Sequence, residues 1–201
     1  SVLPEKVTGA ANGANTSAVF AGTNPNNGKR YVYLETLGGG MGARFTKDGK
    51  DGVQVHLTNT SNLPVEAIEM EYPLRVEEYS FVENSGGAGK YRGGLGIRRI
   101  IRPIAHKCEF SGVGERFKHS PWGVFGGQPG KPGKFYLKHK NGKITNLSSK
   151  SSSIYTNEND AIVMETPGAG GYGNPKKRSK NNILKDKISG KFSNSFLKKY
   201  Y

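Results

Sequence analysis

The polar side chains between residues 51 and 66 have the types and spacing of a chemical site. If this segment is a β-strand, Gln54, His56 and Thr58 lie on one face, because side chains alternate along a strand. That face would present an amide, an imidazole and a hydroxyl to a polar substrate, and His56 could act as a general base. The same pattern also fits a solvent-facing strand with a hydrogen-bonded histidine. The segment continues through Asn59, Asn62 and Glu66.

A run of three glycines, Gly38, Gly39 and Gly40, follows a predicted strand and is a second candidate. Glycine lets a backbone approach a phosphate or another ligand closely, although a tight turn in a β domain needs the same residues. The run matches neither the dinucleotide-binding pattern nor the P-loop pattern. We therefore do not expect this chain to bind ATP through a P-loop.

Arg116 is a third candidate, since it stands near His119 and Trp122 in a segment that fits either an anion contact or a structural turn. Metal and nucleophile chemistry have weaker support. The four histidines lack the pairwise spacing of metal ligands, and no nucleophile elbow is present. Cys108 lies in a strand-like run and fits a buried small hydrophobe better than a nucleophile. We predict no metal ligands in this chain.

Short strand-like runs separated by glycine must position these residues. Asn141 and Gly142 predict a two-residue type I′ hairpin, because both residues of that turn need positive φ. One helix is predicted after Asn62 as its cap, with Pro64 in the first turn and Pro73 limiting its length. Residues 12–28 are small and polar and are predicted to form a loop. The predicted strands are 31–37, 53–58, 74–82, 96–104, 109–113, 134–139, 143–147 and 160–165.

Length and composition restrict the class of protein. The chain has 201 residues, 29 of them Gly and one Cys. This length favours one domain, with or without an appendage, and a core that needs no disulfide or metal. A single Cys excludes a disulfide scaffold and favours a reducing compartment, and no apolar run reaches membrane-spanning length. We predict a cytoplasmic protein with an α+β fold, predominantly antiparallel β with short helices.

The net charge of +14 is unevenly distributed. Residues 174–201 hold nine Lys or Arg and one Asp, a net charge of +8, which leaves +6 for residues 1–173. The composition changes near Pro175. The sequence therefore predicts a body, residues 1–175, and a basic Lys/Asn-rich tail, residues 176–201.

The basic tail has two interpretations. It fits an arm that binds nucleic acid or an acidic partner, and it fits a solvated extension. The second interpretation is favoured, because no RNA-binding motif accompanies the charge. A short docking helix is also predicted, with Ser179 near its start and Gly190 past its end. Its apolar residues would be Ile183, Leu184 and Ile188.

Five long motifs occur in a fixed order along the chain. They are GGGMGAR (38–44), DGVQVHLTNTSNLPVEAIEMEYPLRVEEY (51–79), SGGAGKYRGGLGIRR (85–99), ER(F)…PWGVFGGQPGKPG (115–133) and ETPGAGGYGNP (165–175). Together they closely resemble the C-terminal part of the hydantoinase B family, over roughly residues 1–175. That family includes the B subunit of ATP-dependent N-methylhydantoinase, the matching half of 5-oxoprolinase, and a subunit of acetone and acetophenone carboxylases.

The resemblance implies one component of a larger multi-chain assembly. A hydantoinase A-like ATPase would use ATP and Mg²⁺ to phosphorylate the amide or enol oxygen, and the B subunit would then hydrolyse a lactam or imide ring. Family B subunits are more than twice this length, and a divalent metal (Mn, Zn or Fe) is expected in their N-terminal part. The chain begins with a segment that resembles an internal one, so we expect a cleaved or split subunit that stays attached to its N-terminal part.

The resemblance also implies roles for the candidate residues. The expected catalytic residues are His56, Asn59 and Glu66, and the expected substrate-binding residues are Asp51, Thr58, Asn62 and Arg116. Gly38, Gly39 and Gly40 are the candidate cofactor-binding residues. Three alternatives stay open: a component of a ketone carboxylase of the same family, a basic nucleic-acid- or partner-binding module, and a purely structural subunit.

Overall fold

A computed structural model describes residues 3–201 as two antiparallel β-sheets that share one core, with short helices at their margins. Residues 1 and 2, which open the predicted body, lie outside the described residues. In chain order the strands are β1 (Thr16–Thr23), β2 (Arg30–Leu37), β3 (Leu74–Phe81), β4 (Ile97–Pro103), β5 (Cys108–Val113), β6 (Lys134–Lys138), β7 (Ile144–Leu147), β8 (Lys150–Thr156) and β9 (Ala161–Glu165). The α-helices are α1 (Val65–Glu71), α2 (Lys180–Ile188) and α3 (Asn194–Tyr200), and short 3₁₀ turns cover Pro4–Lys6 and Pro175–Lys177.

The four-stranded sheet has the order β2-β1-β5-β8, and the five-stranded sheet has the order β3-β4-β9-β6-β7. Every named pair of neighbouring strands is antiparallel. The predicted fold class, predominantly antiparallel β with short helices, is therefore confirmed.

The core lies between the two sheets. Along β4 buried and half-buried residues alternate, as expected for a strand with one face in the core. The ring of Phe110 on the four-stranded sheet lies 5.2 Å from Phe20 and 5.8 Å from Phe135 on the other sheet, the latter in an edge-to-face contact. Such aromatic contacts bury large apolar areas and hold the two sheets in one relative position.

Seven of the eight predicted strands are confirmed to within one residue at each end. Strands β1 and β8 were missed, and the prediction of a loop over residues 12–28 is wrong for Thr16–Thr23. Apart from Val19 and Phe20, β1 is made of small residues, so its own sequence gives a weak strand signal. It forms because β2 and β5 provide hydrogen-bonding partners on both of its edges.

The predicted strand at 53–58 is wrong. Val53 forms a single bridge with Gly39, and no strand follows it. Two side chains, Gln54 within the segment and Asn62 beyond it, attach the chain to β2 by donating hydrogen bonds to the Thr36 carbonyl. A backbone ladder is therefore replaced by side-chain anchors, and alternation along 53–58 does not define one polar face.

The predicted helix is present as α1, which ends before Pro73 as expected. Its N-cap position is Pro64, and no side chain caps it. Asn62, predicted to be the cap, bonds to β2 instead. The predicted hairpin joins β6 to β7, but only Gly142 has positive φ, and its N–H donates to His139. The connection is therefore a longer loop and the predicted type I′ turn is wrong.

The glycine-rich loops around Gly40, Gly94, Gly127 and Gly170 pack backbone against backbone. The loop around Gly170 lies at their centre: the Gly170 N–H donates to the carbonyl of Ala10, and a Cβ added at Gly170 would lie 1.8 Å from the Trp122 carbonyl oxygen. A Cβ at Gly94 would similarly lie 1.8 Å from the Lys50 carbonyl oxygen. No side chain fits at either position, which explains why the motifs need glycine.

The C-terminal segment folds onto the glycine-rich loops. Ser179 caps α2 and Gly190 follows it with positive φ, as predicted, while α3 was not predicted. Phe192 and Leu197 pack against Leu95 of the body. No helix among residues 3–201 is long and apolar enough to cross a membrane.

Buried ion pairs reinforce this attachment. Arg92 contacts Asp51 at 2.7 Å and Asp186 of α2 at 3.1 Å. Arg178 contacts Asp48 at 2.8 Å and the same Asp186 at 2.7 Å. Because each arginine bonds one carboxylate of the body and one of the C-terminal segment, the network joins the two parts.

Candidate functional site

The polar loop, defined here as residues 54–63, is attached to β2 at both ends. At its start, Gln54 Nε2 donates to the Thr36 carbonyl oxygen at 3.3 Å. At its end, Asn62 Nδ2 donates to the same oxygen at 3.1 Å and to Glu35 Oε1 at 2.9 Å, and the Leu63 N–H donates to Glu35 Oε1 at 2.9 Å. The loop therefore spans two fixed points on adjacent residues of one strand.

Glu35 is the centre of these contacts. It is 8% exposed and points toward the core, where its Oε2 accepts hydrogen bonds from Tyr33 and from Arg99. Arg99 belongs to the other sheet and is completely buried. Burial raises the pKa of the Tyr33 hydroxyl, and its hydrogen bond to Glu35 raises it further, so this tyrosine stays protonated. A buried ion pair thus links the two sheets directly behind the polar loop.

Tyr79 covers this ion pair from outside. Its ring lies 4.2 Å from the Arg99 guanidinium carbon, a cation–π contact, and its hydroxyl donates to Asn62 Oδ1 at 3.0 Å. The tyrosine is 47% exposed. It therefore forms the boundary between solvent and the buried polar groups.

The outer part of the polar loop presents side chains that have no internal partners. His56 and Asn59 are exposed, and neither side chain has a hydrogen bond or ion pair within residues 3–201. Glu66 is likewise exposed in the first turn of α1. The hydroxyl of Thr58, in contrast, is buried and has no hydrogen-bond partner in the part of the chain described. The structure thus brings Thr58 and Asn62 into the loop's inner part and leaves His56 and Asn59 on its rim.

Asp51 lies next to the polar loop but in a different environment. Its carboxylate accepts hydrogen bonds from Arg92 and from the Leu95 N–H, and it pairs with Lys191 at 2.8 Å. Burial opposes ionisation of this carboxyl, but the hydrogen bonds and charge of Arg92, with Lys191, outweigh it and lower the pKa. Asp51 therefore stays ionised and supports the attachment of the C-terminal segment.

The glycine run at 38–40 is buried among other backbone segments. The N–H of Gly39 donates to Val53 and that of Gly40 to Pro167. A Cβ at Gly40 would lie 2.3 Å from the Gly94 carbonyl oxygen. In this structure the run serves close backbone packing.

Arg116 lies apart from the polar loop. Its guanidinium stacks on Trp122 at 4.4 Å, and its Cγ lies beside Gly13. Its Nε is buried without a hydrogen-bond partner in the described chain. No hydrogen bond among residues 3–201 joins it to His56 or Asn59.

Within residues 3–201 no site suits metal or thiol chemistry. Across residues 3–201 no group of three or more His, Cys, Asp or Glu is placed to hold a metal ion. Cys108 is fully buried, and burial raises the pKa of its thiol. A buried neutral thiol is a poor nucleophile.

The residues that hold the site together, Glu35 and Arg99, were missed by sequence reasoning. A signal was present: Tyr33, Glu35 and Leu37 share one face of β2, and Ile97, Arg99 and Ile101 share one face of β4. A charged residue at an inward strand position needs a partner when it is buried. Glu35 and Arg99 are two such residues of opposite charge, so the sequence could have predicted that they form an ion pair.

These observations define the class of protein. It is an antiparallel two-sheet domain with a polar loop anchored to β2 and glycine-rich loops that pack against one another. Comparison with known proteins identifies the family. Residues 1–175 match the family model described as Hydantoinase B/oxoprolinase. This chain belongs to the hydantoinase B/oxoprolinase family.

Several relatives share extended sequence similarity with this chain. An uncharacterized protein of Methanocaldococcus jannaschii is 45% identical over 95% of the chain and 32% of its own length. A Pseudomonas protein named as the B subunit of a D-/L-hydantoinase is 34% identical over 94% of the chain and 31% of its own length. The 5-oxoprolinase of Dictyostelium discoideum is 40% identical over 70% of the chain and 11% of its own length.

Two solved structures have the same fold. The ATP-dependent caprolactamase of Pseudomonas jessenii matches 97% of the chain and 35% of its own chain, with a TM-score of 0.85 at 24% identity. An acetone carboxylase matches 98% of the chain and 30% of its own chain, with a TM-score of 0.80 at 19% identity. The chain thus spans about a third of the length of the first two relatives and of both solved chains.

Proposed function

We propose that this chain is the C-terminal part of the B subunit of an ATP-dependent cyclic amidase of the 5-oxoprolinase or N-methylhydantoinase type. The observation that carries the proposal is family membership over residues 1–175, with relatives named as a hydantoinase B subunit and as 5-oxoprolinase. The exposed polar side chains on the anchored loop support it, because they give the domain a surface suited to a polar substrate.

In this proposal the reaction is shared among chains. A hydantoinase A-like ATPase binds ATP and Mg²⁺ and phosphorylates the amide oxygen, which turns a poor electrophile into one with a good leaving group. This chain and the N-terminal part of the B subunit then complete ring opening in the cytoplasm. A divalent metal (Mn, Zn or Fe) would need ligands from the N-terminal part, because the described residues of this chain offer no fitting ligand cluster.

The proposed roles follow from position. His56, exposed and without an internal partner within residues 3–201, takes a proton from the attacking water, while the exposed side chains of Asn59 and Glu66 orient water and substrate. Thr58 and Asn62 contact the substrate from the inner part of the loop. Asp51 and Arg116 act on the substrate only if the N-terminal part of the B subunit brings it within their reach. The three glycines at 38–40 pack against neighbouring backbone beside the loop, and a cofactor contact from them would need the N-terminal part of the B subunit.

The proposal is tested by an activity assay on the assembled complex. The native complex is purified and assayed for ATP-dependent hydrolysis of 5-oxoproline and hydantoins, and for acetone carboxylation with bicarbonate. Hydrolysis of a cyclic amide is expected. Carboxylation without hydrolysis would instead place the chain in a ketone carboxylase, the alternative favoured by the structural match to acetone carboxylase.

His56→Ala should lower ATP-coupled ring opening by about 10²- to 10⁴-fold, because the general base is lost. Complex assembly should be unchanged, and the free energy of unfolding should change by less than about 0.5 kcal/mol, since the side chain is exposed. The measurements are turnover, size-exclusion chromatography and denaturant unfolding. His119→Ala is the matched control, because His119 is also exposed. Equal turnover in the two variants would exclude His56 as the base.

A further inference from the structure

Helix α2 has two faces with different surroundings. Toward the body, Ile183 packs against the apolar cluster around Leu95, and Asp186 is buried in the ion-pair network. Away from the body, Leu184 and Ile188 are 54% and 77% exposed. Residues four positions apart lie on the same side of a helix. The contacts with the body therefore fix the rotation of α2 so that this aliphatic pair faces outward.

Lysines surround the exposed aliphatic pair. Lys180 and Lys187 lie four positions before and three positions after Leu184, and at these spacings side chains are neighbours on a helix surface. Lys185 lies three positions before Ile188. All three lysines are exposed, and none has an ion pair within residues 3–201. These five residues are called the outer face of α2.

The exposed charge of the C-terminal segment, residues 176–201, has a single sign. Its one acidic side chain, Asp186, is buried and paired with two arginines. No carboxylate side chain of the segment is therefore left to balance its exposed lysines. In the described chain seven exposed lysines of the segment have no ion pair: Lys176, Lys177, Lys180, Lys185, Lys187, Lys198 and Lys199. A partner that supplies carboxylates would be complementary in charge to this surface.

The aliphatic pair distinguishes between classes of anionic partner. A nucleic-acid backbone binds lysines but offers Leu184 and Ile188 no apolar surface to pack on. A helix that lies in a membrane surface needs a broad apolar face, whereas Ile183 is turned toward the body and only this pair is left outside on α2. A second copy carries the same net charge of +14, which opposes self-association. An apolar centre with a polar rim is instead the composition of a protein–protein interface.

We infer that the outer face of α2 is a docking surface for another protein subunit, whose contact site is an apolar groove bordered by Asp or Glu side chains. Leu184 and Ile188 enter the groove, and the three lysines pair with the carboxylates at its edge. The inference rests on the proposed function, because that function places this chain in a complex of several subunits.

The test measures how tightly the 201-residue chain binds the remaining subunits of the complex, purified without it. Biolayer interferometry gives the affinity at about 0.05 M and about 0.3 M salt, and the affinity should fall as salt screens the ion pairs. Absence of binding, or an affinity that does not depend on salt, would overturn the inference.

Two double variants test the two parts of the outer face. Leu184→Ser combined with Ile188→Ser should weaken binding about tenfold or more, because two aliphatic side chains no longer leave water. Lys180→Glu combined with Lys187→Glu should weaken binding about tenfold or more and remove most of its salt dependence, because attraction becomes repulsion. Wild-type affinity in both double variants would refute the docking surface.

The matched control is Lys140→Glu combined with Lys143→Glu. Both lysines are exposed in the loop between β6 and β7, so this variant has the same change in net charge at a different surface. Its affinity should stay within about twofold of the wild-type value. All three double variants replace exposed side chains, so their thermal unfolding midpoints should match that of the wild-type chain. A loss of affinity in the control equal to that of the lysine variant of α2 would show that net charge alone governs binding and would overturn the inference.

Duplex DNA and phosphatidylserine–phosphatidylcholine vesicles are tested in parallel by mobility shift and by flotation. The wild-type chain and the α2 variants are compared. If the α2 variants lose DNA or vesicle binding while their affinity for the subunits is unchanged, the surface serves that partner and the inference is wrong.

The outcome is separable from that of the proposed function. If the complex hydrolyses cyclic amides but both α2 variants bind the remaining subunits as the wild type does, only the inference is lost. If the α2 variants bind more weakly but the wild-type complex shows no ATP-dependent hydrolysis, the docking surface stands and the proposed reaction is wrong.

Discussion

At the scale of single residues, the Glu35–Arg99 pair explains most about how the candidate site is held in place. The pair is buried between the sheets, and Glu35 also anchors the end of the polar loop through Asn62 and Leu63. A charge in this position is stabilised only while its partner is present, since a lone buried ion is poorly solvated. The position of the polar loop therefore depends on one carboxylate.

Glu35→Gln should lower the free energy of unfolding by about 3 kcal/mol or more, because Arg99 is left as an uncompensated buried charge. Denaturant unfolding of the purified chain measures the change. Glu77→Gln is the matched control, since Glu77 pairs with Arg102 at 2.5 Å in a partly exposed position and its loss should cost less than about 1 kcal/mol. Equal losses in the two variants would contradict the importance assigned to the buried pair.

At the scale of elements, most of the strands could be predicted from local sequence and the polar segment could not. Strands such as β4 alternate strongly in polarity, so their positions follow from sequence alone. β1 has a weak signal and exists because two neighbouring strands pair with it. The segment at 53–58 has the alternation of a strand but forms a single bridge, between Val53 and Gly39, and the Gln54 side chain bonds to Thr36 instead.

The glycine-rich loops are the element where a single methyl group should have the largest effect. Gly170→Ala places a Cβ 1.8 Å from the Trp122 carbonyl oxygen, so two backbone segments must separate. We expect a loss of more than about 3 kcal/mol in the free energy of unfolding, measured by denaturant titration or as loss of soluble protein. Gly142→Ala, in open space but at positive φ, should cost about 1 kcal/mol. A mild effect of Gly170→Ala would show that the loops are loosely packed.

At the scale of the whole molecule, the basic C-terminal segment is attached to the body. Its two arginine-centred ion pairs and the contacts of Phe192 and Leu197 with Leu95 hold it in place. The Methanocaldococcus relative matches 95% of the chain, so the sequence similarity extends beyond residue 175 into this segment. The alternative interpretation of this segment is an arm that binds nucleic acid. In that case the wild-type chain should shift the electrophoretic mobility of nucleic acid in a salt-sensitive manner, and deletion of residues 176–201 should abolish the shift.

The ion-pair network should make stability depend on pH in acid. The pKa of Asp51 is held below its ordinary value of 3.8, so the stabilisation it contributes is present above that value and is lost as pH falls through the folded-state pKa. Asp51→Asn should therefore be less stable than wild type by about 3 kcal/mol at pH 7. The difference should shrink below about pH 4, which unfolding curves from about pH 7 to about pH 2.5 measure. A constant difference across this range would contradict the assigned ion pairs.

The sequence by itself determined the fold class, seven strands, the helix before Pro73, the first C-terminal helix and the resemblance to the hydantoinase B family. These follow from local periodicity, from turn and cap residues, and from long ordered motifs, all of which lie in neighbouring residues. Only the tertiary structure decided which polar groups meet. Glu35 and Arg99 are 64 positions apart and come together because two sheets pack face to face. Whether Thr58, Gln54 and Arg99 have free hydrogen-bonding groups depends on that packing, which no local pattern records.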